Sequence, residues 1–340
     1  MSSSRTSRRV AVIGSGLAGL TCAHELQEAG LAVTVLDKGR GAGGRASTRR
    51  AEIDGQRASF DHGAQYFTAR DPVFASLVAE WREASVVARW TPRLTTFGDS
   101  TRAADPDAGA TERWVGTPGM SSLLAHLEQG LDVRRPVRAE RLERRDDGWW
   151  LQDTEGAASG PFDEVVVAVP ASQAAELLAP APELARAARD VAMPPCWAVL
   201  VAWEERLDVP FDAAFVNDAP LAWLARDSSK PGRPDGERWV LHGAAEWSRE
   251  HFDDEPSAVI DALLSAAAET TGWEAASPSF AAAHRWAFAR VDGRADDACL
   301  HDAELGIGAC GDWCVGGRME GAWLSGRALA ARLLGRSRDA

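Results

Sequence analysis

An α/β fold built on a parallel sheet is predicted by three observations, and a length of 340 residues leaves room for a second domain, expected as a mixed-sheet α+β one. Near the start, the apolar run Val10-Ala11-Val12-Ile13 is followed by Gly14-Ser15-Gly16-Leu17-Ala18-Gly19 and an apolar-faced helical stretch. A second apolar run, Leu31 to Leu36, ends at the acid Asp37. Near the end, Gly306 to Asp312 reads as another buried strand that closes on an acid, and a glycine turn and helix follow it.

The first element is a βαβ unit. Leu17 to Glu28 fits a helix, with Gly30 as its C-cap. In such a turn Gly14 permits the tight bend, Gly16 lets backbone approach a phosphate, and Gly19 lets helix pack on strand. Unbonded N–H groups and the positive end of the helix dipole then face an anion, so the unit points to a dinucleotide pyrophosphate. Asp37 stands 23 residues after Gly14 (37 − 14), close to the about 20 expected of a ribose-binding acid. An acid there favours a free ribose diol over a 2′-phosphate. The bland alternative is a glycine turn with no ligand.

A second glycine cluster, Gly39 to Arg45, places Gly44 and Arg45 where arginine beside open backbone suits a phosphate or ribose; the alternative is a surface loop. Phe60 to Phe67 reads as a short strand or turn that holds polar groups among aromatics, and a helical pattern runs from Asp71 through Trp81. The stretch Gly98 to Thr111 is polar loop, and Gly116 to Ser122 caps a helix continuing to Leu127. Three short strands are expected over Asp132–Val137, Arg138–Arg144 and Trp149–Asp153, then a fully buried strand, Val165–Val169, which Pro170 stops. The middle region carries strand-like runs at Ala198–Trp203 and Trp239–Gly243 and a helix over Glu255–Glu269. In the last helix, Gly321, Ala322, Ser325 and Ala328 suit close approach to another backbone.

Composition narrows the function classes. The 340 residues are 45% hydrophobic and carry a net charge of −13, with mean hydropathy −0.23 and a pI near 5.1. Such a balance argues against a nucleic-acid surface and against docking on anionic lipid, and favours small-molecule partners. No uncharged apolar stretch reaches the roughly 18 residues a membrane span needs. Five cysteines (22, 196, 299, 310 and 314), an odd number, fit reduced thiols in a cytoplasmic protein. Residues 1–7 are expected to be a tail. Arginine greatly outnumbers lysine, with Lys38 and Lys230 the two lysines of the chain.

Gly14 to Gly19, Asp37, Gly43-Gly44-Arg45 and Gly311-Asp312 together resemble the flavin oxidoreductases of the glutathione-reductase-like, amine-oxidase superfamily. Asp61-His62-Gly63-Ala64-Gln65-Tyr66-Phe67-Thr68, Gly119 to Ser122 and Cys310 to Trp313 resemble the renalase-like proteins within it. The resemblance covers nearly the whole chain. It implies a discontinuous Rossmann-type FAD-binding domain from segments 1–76, 112–170 and 286–340, with 77–111 and 171–285 forming the substrate domain.

Carried onto this chain, the resemblance implies that Gly14, Ser15, Gly16 and Gly19 line the pyrophosphate and that Asp37 takes the adenosine ribose, with Lys38 at the same end. Arg45 would sit near the phosphates, Val137 would offer backbone to adenine, and Asp312 would hold a ribityl hydroxyl or phosphate. The turn Arg318-Met319-Glu320 would aim N–H groups at the pyrimidine edge of the flavin. A helix-cap role is the alternative for Asp312. FAD would be non-covalent; Cys314 could carry a covalent bond but packs more simply as a small apolar residue.

The activity implied is oxidation of dihydronicotinamide isomers, reduced at ring position 2 or 6, by hydride transfer to flavin N5, with O2 returning as H2O2. Gln65 and Tyr66 would lie near the flavin ring, and His242 and Trp286 would wall or orient the substrate, or else be ordinary core residues. One alternative is an amine oxidase; Lys38 and the loop residue Lys230 are poor partners for flavin N5, and Tyr66 is the chain's single tyrosine, so a two-tyrosine amine cage cannot form, although tryptophan could take a tyrosine's place. Another is a non-catalytic flavin-bearing binding or sensor protein.

Overall fold

A computed structural model describes residues 7–53, 55–98, 111–217, 219–273 and 277–335. The expected tail over residues 1–7 and loop over Gly98–Thr111 fall almost wholly outside them. The chain packs as two compact units, Met1–Gly44 with Leu124–Met193 and Val291–Ala340, and Arg45–Leu123 with Pro194–Arg290. The fold class is the expected one: an α/β Rossmann-type unit and a second unit built on a mixed sheet.

In the first unit a six-stranded sheet runs in the order Leu300–Asp302, Ile307–Ala309, Glu164–Val167, Arg9–Ile13, Ala32–Leu36, Asp132–Arg134. All its pairs are parallel except that of the first two strands. Val10, Val12, Val35 and Val166 are fully buried, as expected of central parallel strands covered on both faces. The helix Leu17–Glu28 has the predicted bounds; Ala29 closes it, and Gly30, at φ 88°, turns the chain back toward the next strand. Helix Met319–Leu333 lies so close to it that a Cβ on Gly326 would run into the Ala18 carbonyl. Leu26, Leu329 and Leu333 join the strand valines in one core.

The second unit is ordered Phe280–Trp286, Cys196–Trp203, Glu237–Gly243, Leu221–Arg226, Ala213–Val216, Leu94–Phe97, antiparallel except for its last pair. Strand Cys196–Trp203 is buried along its whole length because both of its faces are covered. Val199 and Val201 pack with Val259 and Leu263 of the helix Pro256–Thr271. Leu200 and Ala202 pack instead with Ala58 and Phe60 of the hairpin Thr48–Ile53/Gln56–Asp61. Helix Pro72–Glu83 starts where Asp71 accepts hydrogen bonds from Val73 and Phe74 N–H at 2.9 and 3.0 Å.

Packing draws the boundaries between units elsewhere than the expected segments. Residues 45–76, 112–123 and 286–290 belong to the second unit: the hairpin Thr48–Ile53/Gln56–Asp61 covers one face of its sheet, strand Arg113–Gly116 pairs with Val87–Trp90, and Trp286 ends a strand of the sheet itself. Residues 171–193 belong to the first, where Ala171 N–H points at the Met193 sulfur at 3.2 Å. Elements without a sequence expectation include the strands Ala158–Phe162, Ala213–Val216 and Leu221–Arg226 and the helix Pro182–Arg189. Among the described residues no helix is long and apolar enough to cross a membrane. All five cysteines are buried thiols, and burial pushes Cys196 up to about 12 and raises Cys314 further.

Candidate functional site

In the first unit the glycine turn has the shape a dinucleotide needs. Gly14 sits at φ 106°, and a Cβ there would meet the Ala168 carbonyl oxygen at 2.5 Å. A Cβ on Gly19 would collide with the Gly14 carbonyl, whereas one on Gly16 would meet nothing of the chain within 4 Å. Gly16 therefore borders open space at the N-terminus of helix Leu17–Glu28, where no side chain caps the helix. Gly44 also takes a positive φ, 51°, and opens a short 3-10 turn.

Asp37 faces this turn. Its carboxylate accepts from Ser15 N–H at 2.7 Å and from Gly39 N–H at 2.6 Å, with Arg135 Nε 3.8 Å away. Arg135, which sequence reasoning passed over, donates to the Ser15 hydroxyl at 2.6 Å and pairs with Glu128. Val137 N–H already donates to the Asp37 carbonyl at 2.8 Å, which leaves its own carbonyl as the group to offer a base. Lys38 reaches Gln173 at 3.1 Å, and burial lowers its pKa, with Arg138 adding to the effect.

Asp312 is buried, and its carbonyl accepts from Gly316 and Gly317 N–H at 2.8 and 2.9 Å. Gly316 and Gly317, at φ 109° and 78°, then deliver the chain to Arg318, the N-cap of helix Met319–Leu333, which has no side-chain cap. Glu320 lies buried in that helix's first turn. These features together fit a pyrophosphate-containing dinucleotide: open space that a side chain at Gly16 would fill, an acid bonded to the same turn, and a second uncapped helix start.

Arg45 packs with the second unit, donating to the Ala289 carbonyl at 3.4 Å. The same unit brings together Gln65, Tyr66, His242 and Trp286, along with residues the sequence did not flag. Lys230, expected as a loop lysine, is wholly buried: its ammonium meets Asp227 at 2.7 Å, Asp61 at 3.4 Å and Gln65 Oε1 at 3.2 Å. Arg233 pairs with the same Asp61 oxygen, Oδ2, while Oδ1 accepts from the Thr48 hydroxyl and Met120 N–H. Burial pushes the Asp61 carboxyl up, but Lys230 and Arg233 outweigh it and hold its pKa below 3.8; at Asp227 burial prevails and raises it. A signal was available in Asp227-Ser228-Ser229-Lys230, where a single turn brings residues three apart together, in a chain that has very few lysines.

Tyr66 lies 5.8 Å from Trp223 and 6.1 Å from Trp90, ring to ring, with the Arg113 guanidinium 5.4 Å from its centre. His62, at the end of strand Gln56–Asp61, packs against His284 and Trp286 at 4.8 and 4.9 Å. Its carbonyl receives both Trp286 Nε1 at 2.9 Å and His242 Nε2 at 3.1 Å. Burial, reinforced by His284 and Arg49, drags the His62 imidazole down to about 3; burial takes His242 down to about 4, and burial and Arg49 lower His284. All three rings are neutral at pH 7.

Residues 12–81 match an NAD(P)-binding Rossmann-like domain, and residues 93–334 match the family described as flavin containing amine oxidoreductase. A bifunctional protein of tRNA 5-methylaminomethyl-2-thiouridine biosynthesis from Magnetococcus marinus is 28% identical over 211 residues, which cover 52% of this chain and 31% of that protein. The hydroxyneurosporene desaturase of Rubrivivax gelatinosus is 40% identical over 111 residues, 28% of this chain and 20% of that one. The chain thus spans under a third of the length of the curated relatives it matches. Cyclohexylamine oxidase from Brevibacterium oxydans has a similar fold (TM-score 0.73, 13% identity), with 96% of this chain and 99% of that one covered.

Proposed function

Because the chain belongs to the flavin-containing amine oxidoreductase family, we propose that it is an FAD-dependent oxidase of dihydronicotinamide isomers reduced at ring position 2 or 6. FAD would supply the redox chemistry, as a hydride acceptor at N5 that O2 reoxidises to give H2O2. Gly14, Ser15, Gly16 and Gly19 would hold its pyrophosphate, Asp37 and Lys38 its adenosine end, and the Val137 carbonyl its adenine. Asp312 would bind a ribityl hydroxyl or phosphate. The uncapped start of helix Met319–Leu333, at Arg318-Met319-Glu320, would offer N–H groups to the pyrimidine edge, where they would stabilise negative charge.

Tyr66, His242 and Trp286 face the substrate in this reading, with Gln65 behind Tyr66. One observation carries it: the carboxylates beside Gln65, Asp61 and Asp227, are fully buried and already bonded to Lys230 and Arg233. The side chains against Tyr66 are Trp90, Trp223 and the Arg113 guanidinium, and the neutral imidazoles gather instead at His62 and Trp286. These groups suit a planar, uncharged ring, and among the described residues no exposed acid is seen against Tyr66 to meet a substrate ammonium. A dihydronicotinamide also needs no base to lose its hydride, which agrees with three imidazoles that stay neutral but are too weakly basic to hold a proton at pH 7.

Anaerobic mixing of the flavin-loaded protein with the 2- and 6-dihydro isomers, with NADH and with primary amines tests the reading. The expected result is bleaching within seconds by the isomers. Bleaching by amines alone would replace the reading with amine oxidation, and no bleaching by any donor would point to a flavin-bearing binding protein.

A further inference from the structure

Lys230 uses all three of its N–H donors on separate acceptors: Asp227 Oδ1 at 2.7 Å, Asp61 Oδ2 at 3.4 Å and Gln65 Oε1 at 3.2 Å. Charge balance alone explains the first two contacts, since Arg233 also pairs with Asp61. The third goes to a neutral amide. An ammonium can only donate, so the amide oxygen of Gln65 is the end that faces Lys230. Trp223 Nε1 donates to the same oxygen at 3.4 Å, while Gln65 Nε2 donates to the Asp61 and Gly63 carbonyls. Every hydrogen-bonding position of this buried amide is thereby used within the chain.

We propose that Lys230 is a positioning residue, which locks the turn His62–Tyr66 through the Gln65 amide and so sets the pose of the Tyr66 ring against Trp223 and Trp90. The linkage is short. Gln65 precedes Tyr66 directly, and the indole that shares the Gln65 oxygen with Lys230 is the one whose ring lies 5.8 Å from Tyr66. Trp90 completes the frame: the Lys230 ammonium stands 5.7 Å from the centre of its ring, and its Nε1 donates to Ser229 at 3.1 Å. The inference rests on the reading that Tyr66 faces the substrate, and adds that a residue wholly out of reach of solvent decides how it does so.

Tyr66 is the chain's single tyrosine, so 3-fluorotyrosine labelling of the flavin-loaded protein gives a ¹⁹F spectrum that reports this ring alone. Lys230→Met and Gln65→Met are each expected to shift the resonance by more than its linewidth or to split it, and the double variant to match the single ones. With whichever donor bleaches the flavin, reduction is expected to slow about tenfold in each single variant and no further in the double, the signature of two groups acting as one unit. If Lys230→Met does not fold, Gln65→Met carries the test, since it leaves every ion pair intact. A Tyr66 resonance that stays in place in folded Lys230→Met or in Gln65→Met overturns the proposal. The resonance needs no substrate, so failure of the dihydronicotinamide reading leaves this test standing.

Discussion

His242 and Trp286 converge on one acceptor: Nε2 of the first and Nε1 of the second donate to the His62 carbonyl at 3.1 and 2.9 Å. A carbonyl can only accept, so His242 carries its proton on Nε2. The two rings are thus fixed by the same oxygen at the end of strand Gln56–Asp61. Replacing His242 by Ala removes one of these bonds without touching the Trp286 bond. The expected outcome is a protein that keeps its flavin but is reduced about tenfold more slowly, a loss of about 1.4 kcal/mol in the barrier. Stopped-flow absorbance under anaerobic conditions measures it, and unchanged reduction kinetics would remove His242 from the substrate face.

Gly16→Val separates cofactor binding from folding. The new side chain meets nothing of the protein within 4 Å of its Cβ, so the fold should tolerate it. The space it enters is the one proposed above for the flavin pyrophosphate. The expected protein is soluble, melts within a few degrees of the parent and is colourless after purification. A yellow Gly16→Val protein with full flavin content would show that the dinucleotide does not bind here.

Asp312→Ala should weaken flavin binding at least tenfold, about 1.4 kcal/mol, as befits the loss of a charged hydrogen-bond partner. The turn itself is held by the backbone, through the Asp312 carbonyl and the N–H groups of Gly316 and Gly317, and these bonds survive the substitution. Titration of the flavin-free protein with FAD gives the dissociation constant. An unchanged value would leave Asp312 with a structural role only.

The first unit was legible because its signals are local. Gly14, Gly16, Gly19 and Asp37 lie within one βαβ unit, and helix Leu17–Glu28 has the bounds its periodicity implies. Strand Phe280–Trp286 escaped notice because its partner, Cys196–Trp203, is distant in sequence, and Leu221–Arg226, though paired with its neighbours in the chain, is buried on nearly every residue and so shows no clean alternation. Distance in sequence also hid the ion cluster. Asp61 and Lys230 are 169 positions apart, and only the folding of a hairpin and a turn onto one sheet brings them together. Lys230 looked like a solvated loop lysine because Ser228, Ser229, Pro231 and Gly232 surround it, while its burial comes from Trp90 and Gln65 elsewhere in the chain.

The buried histidines make stability depend on pH with a definite sign. His62 and His242 bind protons near pH 3 and 4 in the folded chain, but near their ordinary 6.5 once unfolded. Between those values the unfolded state binds more protons, so stability is fully present above pH 6.5 and falls as the pH drops toward 4. Each group contributes a slope of up to about 1.4 kcal/mol per pH unit in that window. Asp61 acts in the same direction at lower pH, since its folded pKa lies below 3.8. Urea midpoints at pH 7.5, 6 and 5 measure the dependence, and His62→Gln removes the largest of the histidine contributions while the net charge of the rest stays the same. The parent should lose more stability than His62→Gln between pH 6.5 and 5. Parallel curves for the two proteins would mean that the His62 ring is not buried as a neutral group.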